Sequence, residues 1–216
     1  MSPFRTLFLP LIISLLLCSC SPAGKLGSME TAETGSIHRF APLGSISNPM
    51  LFKASIGISG DHYSGLFLIK RIPDDSTIRI LFLSELGLNM LDLAYRDDEF
   101  RVVSVQEFLN KPPLLKTLQN DFRTLLLDLS TLATYSLTMS EDGTTELLQF
   151  RHKSQRYLYH SKKDLGTFRI ERKRGWFRRV NYCIDGMDDL HIEIVHRGIK
   201  LTMDLHQLKQ LSDHVD

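Results

Sequence analysis

The sequence predicts a mainly β domain of the α+β type: a large antiparallel sheet of about eleven strands with one internal helix. Three observations carry this reading. Ile199, Leu201, Met203 and Leu205 alternate with Lys200, Thr202, Asp204 and His206, the period of two that buries one face of a strand and wets the other. Leu66–Ile69 and Ile78–Leu83 are short, β-branched and aromatic-rich runs separated by Pro73-Asp74-Asp75. Residues 110–128 alone break the rhythm, with apolar side chains at 114, 115, 118, 122, 125 and 126, the spacing of one helix face.

In chain order, the first element is an apolar run from Leu7 to Leu17 preceded by Arg5. It is shorter than the about 20 residues a membrane-spanning helix needs, and it matches the charged and apolar regions of a secretory signal. It ends in Leu17-Cys18-Ser19-Cys20, which resembles the bacterial lipobox. Only Cys20 has a small residue immediately before it and an aliphatic one at minus three. The resemblance implies a signal peptide over residues 1–19, cleavage before Cys20, a diacylglycerol on its sulfur and a fatty acid such as palmitate on its amine. Several chains anchor stably where one does not. Ser21 in place of Asp points to the outer membrane of a bacterial envelope, by the sorting rule of enterobacteria.

Removing residues 1–19 takes Arg5 and no acid from 26 basic and 25 acidic residues, leaving 25 of each. That balance gives no reason to expect nucleic acid as a partner. Cys183 is then the only thiol besides the lipidated one, so no intramolecular disulfide is expected. Residues 20–49 are rich in Ser, Gly, Ala, Thr and Pro and read as a flexible tether, with the folded domain over residues 50–216. A monomer is expected.

Within the domain, strands are expected near 88–95 and 100–106, joined by Arg96-Asp97-Asp98. Asn110 is a plausible cap for the helix, and Pro112 and Pro113 fall where a first helical turn tolerates them. Further strands fit 133–139, 145–151, 155–160, 166–172 and 176–184. The last pair forms a hairpin over 190–206 turning at Arg197-Gly198. Because the early strands are apolar on both faces, either something covers both sides of them or one side holds a ligand.

Tyr63–Lys70, Ile78–Phe82 and Ser84–Asp92 look like the early strands and connecting loop of LolB-type lipoproteins. The order of elements is similar to that of LolA-like lipoproteins of Bacteroidetes. This resemblance to the LolA/LolB-like fold implies a strongly curved sheet, an incomplete β-barrel wrapped round one or more helices. It also implies an acyl chain or lipoprotein as ligand, in an apolar groove with Leu66, Leu68, Ile80, Phe82, Leu118 and Phe122 as candidate lining. LolB-type proteins carry a leucine on a protruding loop, and Leu86 in Ser84-Glu-Leu-Gly-Leu88 is the position here most similar to it, a candidate membrane contact. The alternative is a scaffold lipoprotein with a packed interior that recruits envelope protein partners.

Other constellations are better explained by structure. Arg169, Arg172, Lys173, Arg174, Arg178 and Arg179, interleaved with Phe168, Trp176 and Phe177, read as a solvated hairpin, with anionic lipid head groups as the alternative contact. On a strand His191 and Glu193 share a face that His196 does not, so no metal is expected from these three. Asp185, Asp188 and Asp189 around Gly186 read as a turn. Cys183 reads as a small core residue. No nucleophile elbow, zinc-protease motif or phosphate loop is present, and neither an enzyme nor a cofactor is expected.

Overall fold

The computed structural model describes residues 40–43, 46–126, 132, 134–162, 167–175, 178–186 and 189–208. Cys20, the signal segment and most of the expected tether lie outside the described residues. The strands are β1 (Met50–Ile58), β2 (Asp61–Arg71), β3 (Ile78–Ser84), β4 (Asn89–Arg96), β5 (Glu99–Val105), β6 (Tyr135–Met139), β7 (Thr145–His152), β8 (Gln155–Lys162), β9 (Thr167–Arg174), β10 (Arg178–Asp185), β11 (His191–Arg197) and β12 (Leu201–Gln207). The helix α1 spans Pro112–Leu126.

All 12 strands form one sheet in the order β5-β4-β3-β2-β1-β12-β11-β10-β9-β8-β7-β6, and every neighbouring pair is antiparallel. The sheet does not close, since β5 and β6 remain its two edges. Near its middle β1 pairs with β12, which sets Ala54 opposite Leu205 and Ile56 opposite Met203. The beginning and end of the domain are thereby stitched together.

One face carries the core. In β1 the buried residues are Phe52, Ala54 and Ile56, in β2 Phe67 and Ile69, and in β12 Leu201, Met203 and Leu205, each set spaced by two. Strand β4 departs from alternation, being buried on both faces from Met90 to Tyr95. α1 lies against the core face with Leu118, Phe122 and Leu125 fully buried, and the Phe122 ring meets Phe67 at 5.2 Å. Asn110 does not cap it: the helix begins two residues later, and the Lys111 carbonyl accepts from the Leu115 amide.

The boundary expected at residue 50 is too late. Phe40, Leu43 and Ile46 are buried in the core, and the Leu43 amide donates to the Leu125 carbonyl at 3.2 Å. The small polar composition of the segment masks these few large side chains, and they are the ones that pack. Among the described residues no helix is long and apolar enough to cross a membrane.

Two turns of the same kind face each other. Asp97 and Asp98 join β4 to β5, Lys153 and Ser154 join β7 to β8, and all four have positive φ, as two-residue hairpin loops require. Asp98 receives Lys153 Nζ at 2.6 Å and Arg123 Nε of α1 at 2.9 Å, and His152 Nε2 lies 3.0 Å from its carboxylate.

Candidate functional site

A pocket of about 870 Å³ opens between the start of α1 and the adjoining ends of β1, β8, β9, β10, β11 and β12. Its apolar wall includes Ile58, Leu114, Val180 and Leu201, with Ile199 at the turn between β11 and β12. Asn120, Arg172 and His196 also line it and belong to a buried polar network beneath.

That network follows from strand and helix periodicity. Asp121 falls between Leu118 and Leu125 on the apolar stripe of α1, and Arg172 lies two residues beyond Ile170 on the inward face of β9. Both side chains are therefore carried into the core. The Asp121 carboxylate accepts from Arg172 Nη2 at 2.7 Å and from the Tyr182 hydroxyl at 3.0 Å, and His196 Nε2 stands 2.8 Å from its other oxygen. Arg172 Nη1 further donates to the Asn120 carbonyl and to Thr124 Oγ1. Tyr159 donates to the Thr124 carbonyl at 3.1 Å. Burial, and then the adjacent Asp121 charge, push the Tyr182 hydroxyl well above its ordinary value, so it stays protonated and a donor. Burial acts to lower the Arg172 guanidinium, but its interactions with Tyr182, Asp121 and Tyr157 hold it above its ordinary value.

The expected groove residues do not line this pocket. Ile80, Phe82, Leu118 and Phe122 are fully buried in the packed core. Leu66 and Leu68 lie on the opposite face of β2, half-buried, where register places them beside Leu83 and Leu81. A one-residue offset along a strand reverses the face, so these six are not brought together. Leu86 is 88 % exposed in the β3–β4 turn, which Gly87 enters with φ +76° and which Ser64 steadies by donating to Glu85 at 2.7 Å.

Of the remaining residues, His196 faces inward to Asp121, away from His191. The structure instead brings His191, Asp204 and His206 together on the outer face of β11 and β12. The two imidazoles stack at 4.0 Å and each approaches the Asp204 carboxylate, at 3.1 and 2.7 Å. Among the described residues this is the group whose donor atoms are close enough to share a metal ion. Cys183 is half-exposed on that outer face rather than in the core, since Tyr182 and Ile184 take the inward positions. Burial and the Asp185 charge raise its thiol, which disfavours the thiolate a nucleophile needs. Gly186 has a positive φ, as a turn requires, while Asp188 lies outside the described residues.

The basic hairpin of residues 169–179 forms as β9 and β10, but it is not uniformly solvated. Arg172 is buried, and Arg174 and Arg179 line the pocket. Trp176 and Phe177 lie outside the described residues. The signal for Arg172 was present in the sequence as its parity with Ile170. Comparison with protein families, curated proteins and solved structures finds no match to the chain.

Proposed function

We propose that this chain is a lipid-anchored bacterial envelope protein, held in the outer membrane through Cys20, that binds acyl chains and acts in lipid or lipoprotein handling. In this reading the sheet bends round α1 as an incomplete barrel of the LolA/LolB-like kind. The bend is supported by the contact of Asp98 with His152 and Lys153: β4 and β8 are eight places apart in the sheet order. Flat strands at about 4.8 Å spacing would separate them by about 38 Å.

The observation that carries ligand binding is the pocket beside α1, whose 870 Å³ falls in the range of small-molecule sites. Its position differs from the groove expected from the resemblance, and the β11–β12 turn beside it exposes Ile199. The test is mass spectrometry of lipids that co-purify with the full-length protein, together with uptake of a fluorescent fatty acid. Co-purified lipid and saturable uptake are expected; finding neither removes the binding reading.

A scaffold role, with the interior packed and the surface recruiting envelope partners, is favoured by a different observation. Phe67, Phe82 and Phe122 are fully buried and in ring contact, leaving the centre of the sheet filled. Partner capture without bound lipid would select it. Both readings share the anchor. Cys20→Ala is expected to leave the precursor unprocessed and without palmitate label, whereas Cys18→Ala is processed normally.

A further inference from the structure

The charges around the pocket are segregated. Lys111, Lys116, Arg174, Arg179, Arg197 and Lys200 line it together with Arg172, and no Asp or Glu lies among the lining residues described. Arg172 is committed to Asp121. The other six take part in no ion pair described in the structure, although the Arg179 charge is among those that lower the Glu171 carboxyl on the neighbouring strand. Among the described residues some cations elsewhere are matched, as in Arg79 with Asp92, Arg123 and Lys153 with Asp98, and Lys173 with Glu171, and others such as Lys53 and Arg101 are not, so what sets the rim apart is that six unpaired cations share one concavity.

The six come from separate parts of the chain. Lys111 precedes α1 and Lys116 lies on it, Arg174 and Arg179 flank the β9–β10 turn, and Arg197 and Lys200 flank the β11–β12 turn. Folding therefore gathers like charges that repel one another around a concave, partly apolar site. An anion at that position removes the repulsion, and field focusing by low-dielectric walls raises its local concentration. Half-buried Ile58 and Leu114, with exposed Ile199, meanwhile offer surface to hydrocarbon, with no polar group of their side chains to satisfy.

We propose that the pocket selects anionic amphiphiles. An acyl chain lies against the apolar wall, and a carboxylate or phosphate head is held by the basic rim. This deepens the acyl-chain reading and rests on it. A fatty acid and a lysophospholipid share the required chemistry, so the head group is defined by charge and hydrogen-bond acceptors, and a neutral head of similar size binds less well. Arg at the rim supplies the fork geometry that suits both kinds of head.

The test places the full-length protein in phosphatidylcholine nanodiscs and titrates three photoactivatable probes of equal chain length: a fatty acid, a lysophosphatidic acid and a monoacylglycerol. Both anionic probes are expected to label saturably and about tenfold more tightly than the neutral one, the scale of one charge-assisted hydrogen bond. Arg197→Glu with Lys200→Glu, at exposed rim positions, is expected to abolish that preference while the melting temperature stays unchanged; a preference that survives the double reversal overturns the role of the rim. Equal labelling by all three probes overturns the anionic selectivity and leaves acyl binding standing. Saturable labelling by none overturns both. Full displacement of lysophosphatidic acid by inorganic phosphate alone, with no effect of chain length, assigns the site to a small anion and overturns the amphiphile.

Discussion

Asp121 occupies a position where helix periodicity demands an apolar side chain, and three neighbours make it tolerable. Arg172, Tyr182 and His196 approach its two oxygens, and the Asp121 side chain is fully buried. Removing the carboxylate leaves the Arg172 guanidinium buried without its counter-charge, and breaking a buried pair from one side costs about 3–5 kcal/mol. Asp121→Ala is therefore expected to lose stability on that scale in urea unfolding, and a loss within about 0.5 kcal/mol, the usual surface range, would show that the network does not hold the helix on the sheet. Asp121 and Arg172 each keep the period of their apolar neighbours, yet Arg172 was expected in a solvated hairpin and Asp121 was not singled out. Their meeting was not legible in the sequence, because residues 121 and 172 are distant in the chain and only the strand order brings them together. Leu86 poses the opposite problem, an apolar side chain with no packing partner to justify it. At 88 % exposure its replacement by Glu removes no core contact, so Leu86→Glu is expected to leave the melting temperature within the surface range. Transfer of bound lipid from the protein to vesicles is expected to fall. A large drop in melting temperature would overturn the exposed placement, and unchanged transfer would overturn the membrane-contact role.

The elements differ in how openly the chain announces them. α1 was readable because its apolar spacing is helical and two prolines mark its first turn; the strands of the 190–206 hairpin were readable because alternation there is uninterrupted. β1 was not identified as a strand, although Phe52, Ala54 and Ile56 keep the period of two. Ala54, Ser55 and Gly57 weaken its local preference, and the small side chains make sense only once β2 and β12 are seen on either side. Gly65 of β2 belongs to the same close-packed region. It pairs with Ala54 and Ser84, and a Cβ placed on it would lie 2.0 Å from the Leu83 carbonyl oxygen. Backbone cannot yield as a side-chain tip can, so Gly65→Ala must displace β3 relative to β2. Overpacking of this kind costs about 1–3 kcal/mol, which a lowered urea midpoint with unchanged m-value would register. An unchanged midpoint would mean that the two strands slide apart freely at this point.

At the scale of the whole molecule, local pattern could not say which strands are neighbours, nor that the β4–β5 and β7–β8 turns meet. Asp98 is the residue through which they meet, and it also ties α1 to both turns through Arg123. Burial acts to raise its carboxyl, but the hydrogen bonds from Lys153 and His152 and the charges of Arg123 and Lys153 outweigh it, and the net effect holds the group below the usual carboxylate range. A carboxyl depressed in the folded state contributes stability that is complete above its unfolded value, about 3.9, and that disappears as pH falls through the folded value. Asp98→Asn is expected to lower the melting temperature at pH 7, with the gap from the wild type narrowing once pH drops below about 4 and closing at still lower pH. Thermal unfolding of both proteins across that range tests it. A gap that stays constant down to the acid limit would show that Asp98 joins the two turns and α1 through shape and not charge.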